Sequence, residues 1–126
     1  HFMRGAKYKN VYMDLHLYHY RDEYALDITS PRGLTTAISR NKRELKEAIS
    51  TGFRVLVGEW SGAAIFANSS VTPEGRNAYE RVFIANQLAS FAPAAGWFFQ
   101  TWKTEKRIAA WDARAALGTL ERGMIE

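Results

Sequence analysis

The chain has 126 residues, enough for one domain with a real apolar core and too few for several. At 47% hydrophobic and 24% charged residues it has the make-up of a folded globular protein, which excludes a disordered chain. It has no cysteine, which excludes disulfides and thiolate metal sites, and its net charge of +4 comes from basic residues scattered along the chain, without the aromatic-interleaved basic stripe of a nucleic-acid binder.

No run approaches eighteen apolar residues, so no membrane-spanning helix is expected. The first thirty residues lack the charged-then-apolar order of a signal peptide, and localisation stays open.

After a mixed stretch over 1–9, strict alternation predicts a first strand over 11–18. Val11, Met13, Leu15 and Leu17 form an apolar face; Tyr12, Asp14, His16 and Tyr18 form the other. A face carrying Asp then His is expected in a cleft or a barrel mouth. Residues 19–32 read as a long polar connection, and such loops at the carboxyl end of a strand are commonly functional. Helical spacing of Leu34, Ala37, Ile38, Leu45, Ala48 and Ile49 predicts a helix over 34–50, with Gly52 placed to end it.

A second strand is predicted over 53–59, with Val55, Val57 and Glu59 on one face and Leu56 and Gly58 on the other. It ends in a carboxylate followed by an indole and a hydroxyl, Trp60 and Ser61. The small and polar residues 61–71 read as a loop. Thr72-Pro73 is a helix entry, Thr as cap and Pro at the first helical position. That helix is expected to run to about residue 91, with Ala78, Val82, Phe83, Ala85, Leu88 and Ala89 inward, and to stop before Pro93. A third strand follows over 96–102, then a charged loop over 103–109. A last helix is predicted over 111–122, with Ala115, Leu117 and Leu120 at core spacing.

Strands alternating with helices imply an α/β fold with a parallel sheet. Each strand ends in polar or aromatic residues and a loop, the layout of a (β/α)8 TIM barrel. Three units are fewer than half of the eight that close one. The expectation is a partial barrel spanning 1–126, with two open edges and an uncovered inner face, completed by self-association or by a partner.

The motifs Asp14-Leu15-His16-Leu17-Tyr18, Gly58-Glu59-Trp60-Ser61 and the run from Gly96 to Glu105 (GWFFQTWKTE) resemble the last three strands of glycoside hydrolase family 5. The glucan 1,3-β-glucosidase (exo-β-1,3-glucanase) branch is the nearest in pattern, and the resemblance runs through almost the whole chain in order. It implies a retaining hydrolase of β-glucans or β-glucosides that needs no cofactor. Glu59 takes the place of the seventh-strand nucleophile. His16 and Tyr18 take the places of the sixth-strand pair that lines the subsite of the cleaved sugar, the Tyr hydroxyl orienting the nucleophile. Trp60 is either a wall of that site or packing.

Two departures from the family pattern stand out. Where the eighth strand usually carries a Trp as a platform under the sugar, this chain has Gln100; Trp102, one pair further along, is the candidate substitute, and Trp97 is assigned to packing. The general acid/base glutamate, which lies at the end of the fourth strand, has no counterpart. Retention needs two carboxyl groups about 5 to 5.5 Å apart, and Asp14, Glu23, Asp27 and Glu105 all miss the family position. The resemblance therefore implies a C-terminal piece carrying half a catalytic pair. The alternative is a non-catalytic carbohydrate-binding or interaction fragment. A small doubly wound domain is disfavoured because no Gly-rich phosphate loop follows a strand. Metal catalysis is disfavoured because His1, His16 and His19 have no ligand spacing on one face.

Overall fold

The computed structural model describes residues 3, 8–20, 27–66 and 71–118. The candidate carboxylate Glu23, the loop residues 67–70 and the end of the last predicted helix, with Leu120, lie outside the described residues.

The chain is α/β, with one parallel sheet in the order β1-β2-β3. Strand β1 is Tyr12–His19, β2 is Arg54–Ala64 and β3 is Gly96–Phe99. Helix α1 (Pro31–Ser50) joins the first pair and α2 (Pro73–Ser90) the second; a 3₁₀ turn at Ala109–Trp111 and a short helix α3 (Ala113–Leu117) follow. Both long helices begin alike. Ser30 and Thr72 accept hydrogen bonds from Gly33 N and Gly75 N, and Pro31 and Pro73 stand in the first turn, where the missing N–H costs nothing. The sequence reading placed Ser30 and Pro31 in a loop; they are the start of α1, by the signal already recognised at Thr72-Pro73. Gly52, at φ 85°, ends α1 in the left-handed conformation.

All the helices cover the same sheet face. Leu45 and Ala48 of α1 pack on Val55, with Met13 and Leu15 beside them. Ile84 and Leu88 of α2, Phe91 and Ala116 pack on Leu17, Val57 and Trp60. Phe83 joins α2 to α1 through Ile28, Ala37 and Ile38. The inward face of α2 is turned from the expected one: Ile84 and Gln87 are buried, whereas Val82 is 47% exposed and Ala78 and Ala89 face solvent. A helix wedged between a sheet and a neighbouring helix buries a wider arc than one stripe predicts.

Two features of β2 depart from simple alternation. Leu15 pairs with Val57 but His16 pairs with Glu59, so Gly58 is an extra residue, a β-bulge. The bulge resets the phase. Val55 and Val57 face the helices, as does Trp60 beyond the bulge, and Glu59 is turned to the opposite face beside His16; the expectation that Glu59 shares a face with Val55 and Val57 is corrected. Moreover, β2 does not end at Glu59. Ser61, Gly62 and Ala63 are buried strand, not loop. Their small size serves close packing: a Cβ at Gly62 would stand 2.7 Å from Ile84 Cδ1 and 3.4 Å from Ala110 Cα.

The third strand stops at Phe99, earlier than expected. Gln100 N still donates to the Trp60 carbonyl, but Thr101 N donates to Trp111 O and Ala113 N to Thr101 O. From Thr101 the backbone is satisfied by the 109–113 segment in place of the sheet. The Gln100–Thr101 peptide is cis.

Candidate functional site

The sheet face away from the helices carries Asp14, His16 and Tyr18 from β1 and Leu56 and Glu59 from β2, by the register that pairs Asp14 with Leu56 and His16 with Glu59. Side by side, His16 and Glu59 sit toward the carboxyl half of β1, and the bulge at Gly58 brings the glutamate there. One oxygen of its carboxylate has two neighbours. Tyr18 OH donates to Glu59 Oε2 at 2.8 Å, and His16 Nδ1 lies 3.5 Å from the same atom. On the other side of the ring, His16 Nε2 lies 3.1 Å from Asp14 Oδ2. The phenol O–H is the hydrogen-bond donor to Glu59 Oε2. The Glu59 side chain remains 41% exposed, so the second oxygen is reachable.

A cleft of about 300 Å³ opens at this point, lined by His16, Tyr18 and Glu59 and, around the edge of β1, by His19, Asn41 and Glu44. That is the room a single pyranose ring needs, at the low end of ligand pockets. Behind it lies a buried polar pair. His19 Nε2 is 2.8 Å from Asn41 Oδ1, so the imidazole donates there, while His19 Nδ1 and Asn41 Nδ2 are buried without a hydrogen-bond partner. Burial lowers the His19 pKa below its ordinary value, the Asn41 bond opposing and Arg40 adding to the shift. The ring is held neutral.

Sequence reasoning missed Trp111, which it read as the first residue of a helix. The 3₁₀ turn places the indole against Tyr18 and Tyr20, with ring centroids 5.8 and 5.0 Å apart, and the two tyrosines meet edge-on at 5.4 Å. This aromatic wall backs the phenol that reaches Glu59. The turn is anchored by the next residue. Buried Asp112 accepts from Thr104 N at 3.0 Å and from Arg114 N at 3.1 Å, with Arg114 Nη2 at 3.3 Å. Those bonds, the Thr104 backbone first and the Arg114 side chain next, hold its carboxyl down at about 2. The signal available in the sequence was Asp112 as a cap immediately after an aromatic residue.

The structure brings together three of the sequence-predicted residues, Glu59, His16 and Tyr18. Trp60 is corrected from a possible site wall to core: it is 0% exposed and meets Phe91, Trp97 and Phe99 edge-on at 5.2, 5.5 and 4.8 Å. The bulge that turns Glu59 one way turns the next residue the other way. Gln100 and Trp102 do not line the cleft with Glu59. Gln100 is exposed at the end of β3, and Trp102, past that end, is 70% exposed. Among the described residues no cluster of three or more His, Asp or Glu is arranged to hold a metal ion, and no helix is long and apolar enough to cross a membrane. Comparison with known protein families finds no matching family model, and comparison with curated proteins finds no relative.

Proposed function

We propose that this chain is the sixth-to-eighth-strand portion of a (β/α)8 barrel that hydrolyses β-glucans or β-glucosides with retention, Glu59 being the nucleophile. The observation that carries the reading is the pair of contacts on Glu59 Oε2, from Tyr18 OH at 2.8 Å and His16 Nδ1 at 3.5 Å, in a cleft with room for one sugar ring. A carboxylate must stay ionised to attack an anomeric carbon, and a phenol donor on one oxygen leaves the other free to do so. In the first step the free Glu59 oxygen forms an ester to the anomeric carbon as the glycosidic bond breaks, and the leaving oxygen takes a proton from a general acid. Water then cleaves the ester.

The acid is not supplied by the neighbours of Glu59. Asp14 is engaged with His16, and Glu44, which borders the cleft from α1, lies 3.8 Å from Arg40. A complementing barrel portion or a second copy of the chain would bring it, and would cover the inner face and the edges of β1 and β3 that are open among the described residues. The same lack favours a second reading, a sugar-binding fragment without turnover.

Hydrolysis of an aryl β-glucoside and of laminarin by the wild type and by Glu59→Gln separates the two. Loss of the nucleophile is expected to lower kcat by about 10³-fold or more. Equal rates in both proteins would remove Glu59 from the reaction, and binding of laminarin without hydrolysis would select the second reading.

A further inference from the structure

The geometry points to Trp111 as a positioning residue for Glu59, acting through the Tyr18 ring. Its consequence for catalysis rests on the proposed function; the contacts do not. Tyr18 OH donates to Glu59 Oε2 at 2.8 Å. The hydroxyl is the far end of its side chain, so a small rotation about χ1 or χ2 breaks that bond, and what fixes the ring fixes the donor. The ring stands where the β1–β2 ladder jumps: Leu17 pairs with Trp60 and His19 with Ala64, so Ser61 to Ala63 of β2 span the place of Tyr18. At such a jump regular cross-strand pairing does not set a ring's orientation. The indole does. Its centroid lies 5.8 Å from that of Tyr18 with the planes 33° apart, and Tyr20 meets both rings edge-on, at 5.4 Å from Tyr18 and 5.0 Å from Trp111. These are the separations of stacked and edge-to-face pairs. Each neighbour blocks a direction in which the Tyr18 ring would turn.

A second observation separates this role from core packing. Trp111 is half-buried and belongs to none of the three apolar clusters that hold the helices to the sheet. Its backbone is nevertheless fixed from both sides. Trp111 N donates to Ile108 O at 2.8 Å, and Thr101 N donates to Trp111 O at 2.9 Å. The flanking Ala110 and Asp112 are buried, and Asp112 is tied to Thr104 and Arg114. A turn held this firmly, around an aromatic side chain that the core clusters do not include, presents that side chain to the tyrosines. The line of contacts runs from the Asp112 anchor to the indole, to the phenol and to the Glu59 carboxylate.

The test uses the whole chain with Trp111→Met, Trp111→Leu, Trp111→Phe, Tyr18→Phe and the double variant of Trp111→Met with Tyr18→Phe. Met fills much of the same space with a flexible chain, whereas Phe keeps a rigid ring. In the wild type, nuclear Overhauser contacts are expected between the indole and the Tyr18 ring protons. The main readout is the ¹³C shift of the Glu59 side-chain carboxyl, identified by its absence in Glu59→Gln. Tyr18→Phe is expected to move it. Trp111→Met and Trp111→Leu are expected to move it the same way, Trp111→Phe to keep it near the wild-type position, and the double variant to match Tyr18→Phe alone. A residue that only stabilises the turn would lower Tm and leave the shift in place. On an aryl β-glucoside, Trp111→Met is expected to lose about 10- to 100-fold in kcat, as for a misplaced reacting group, with KM within about twofold. Trp111→Phe is expected to recover most of that loss, and the double variant to be no slower than Tyr18→Phe.

Missing ring contacts in the wild type, or an unmoved Glu59 shift in a folded Trp111→Met or Trp111→Leu chain, would overturn the contact assignment. Unfolding of both variants would assign the indole to the fold and overturn the positioning role. So would wild-type kcat in Trp111→Met, or losses that add in the double variant. No hydrolysis by the wild type, with the shifts responding as expected, would remove the proposed function and leave the contacts from Trp111 through Tyr18 to Glu59 standing.

Discussion

At the scale of single residues, two groups make the structure sensitive to acid, in separate windows. His19 is buried and held neutral, with its pKa lowered chiefly by burial, so the unfolded chain binds a proton that the folded one resists. Its contribution to stability is complete above the ordinary value of 6.5 and is lost as pH falls below it. Asp112 acts lower down. Its pKa falls from an ordinary 3.8 to about 2 through the Thr104 backbone bond and then the Arg114 side chain, so its contribution is complete above 3.8 and is lost as pH falls toward 2. Asp112→Asn is expected to lower Tm at neutral pH, because the amide nitrogen meets donors, and the gap to wild type is expected to close near pH 2. Thermal melts of both proteins across that range check it; a gap independent of pH would show that Asp112 is not held ionised by those bonds. Because Asp112 anchors the turn that carries Trp111, the same melts followed by indole fluorescence report on the aromatic wall behind Tyr18.

The residue-level pattern on β1 is legible in the sequence: strict alternation puts Asp14, His16 and Tyr18 on one face. The placement of Glu59 relative to them is not. Gly58 reads as one more step in a period of two, and only its pairing shows that it is the extra residue of a bulge. The same bulge sends Trp60 into the core, which is why a residue adjacent to Glu59 in sequence is absent from the cleft.

At the scale of elements, order and type followed from periodicity and caps, and boundaries did not. The stretch 61–64 belongs to a run, 61–71, whose small and polar residues read as a loop. It is strand because small residues let α2 and the 3₁₀ turn approach β2: Gln87 Nε2 donates to the Ser61 carbonyl at 2.9 Å, and Ile84 closes over Gly62. The inward face of α2 was misjudged by about one position for a related reason, as Phe83 serves the contact with α1 while Ile84 and Leu88 serve the sheet. The two faces differ measurably. Phe83→Ala is expected to cost about 3 to 5 kcal/mol, the scale for a fully buried phenylalanine, and Val82→Ala no more than about 0.5 kcal/mol, the scale of an exposed site. Urea denaturation of the two variants decides between the faces; equal losses would contradict the packing described for α2.

At the scale of the molecule, the helices cover one sheet face, and among the described residues nothing covers the other. Asp14, His16 and Glu59 remain half-exposed there, and β3 and the residues after it present Phe98, 61% exposed, and Trp102. Parallel sheets are seldom left uncovered, and apolar surface of this kind favours association. Sedimentation at several concentrations is expected to show species larger than 14.3 kDa that dissociate on dilution. A monomer at all concentrations would mean that the open face is stable in water.

Covalent trapping of Glu59 tests the nucleophile assignment most directly. A fluorinated β-glucoside with a dinitrophenolate leaving group needs no general acid for the first step, and its fluorine slows cleavage of the ester, so the proposed nucleophile can be trapped without its acid partner. Mapping by peptide mass spectrometry is expected to find a fluoroglucosyl ester on Glu59 in the wild type and none in Glu59→Gln. An unmodified chain, or an ester on another carboxylate, would contradict it.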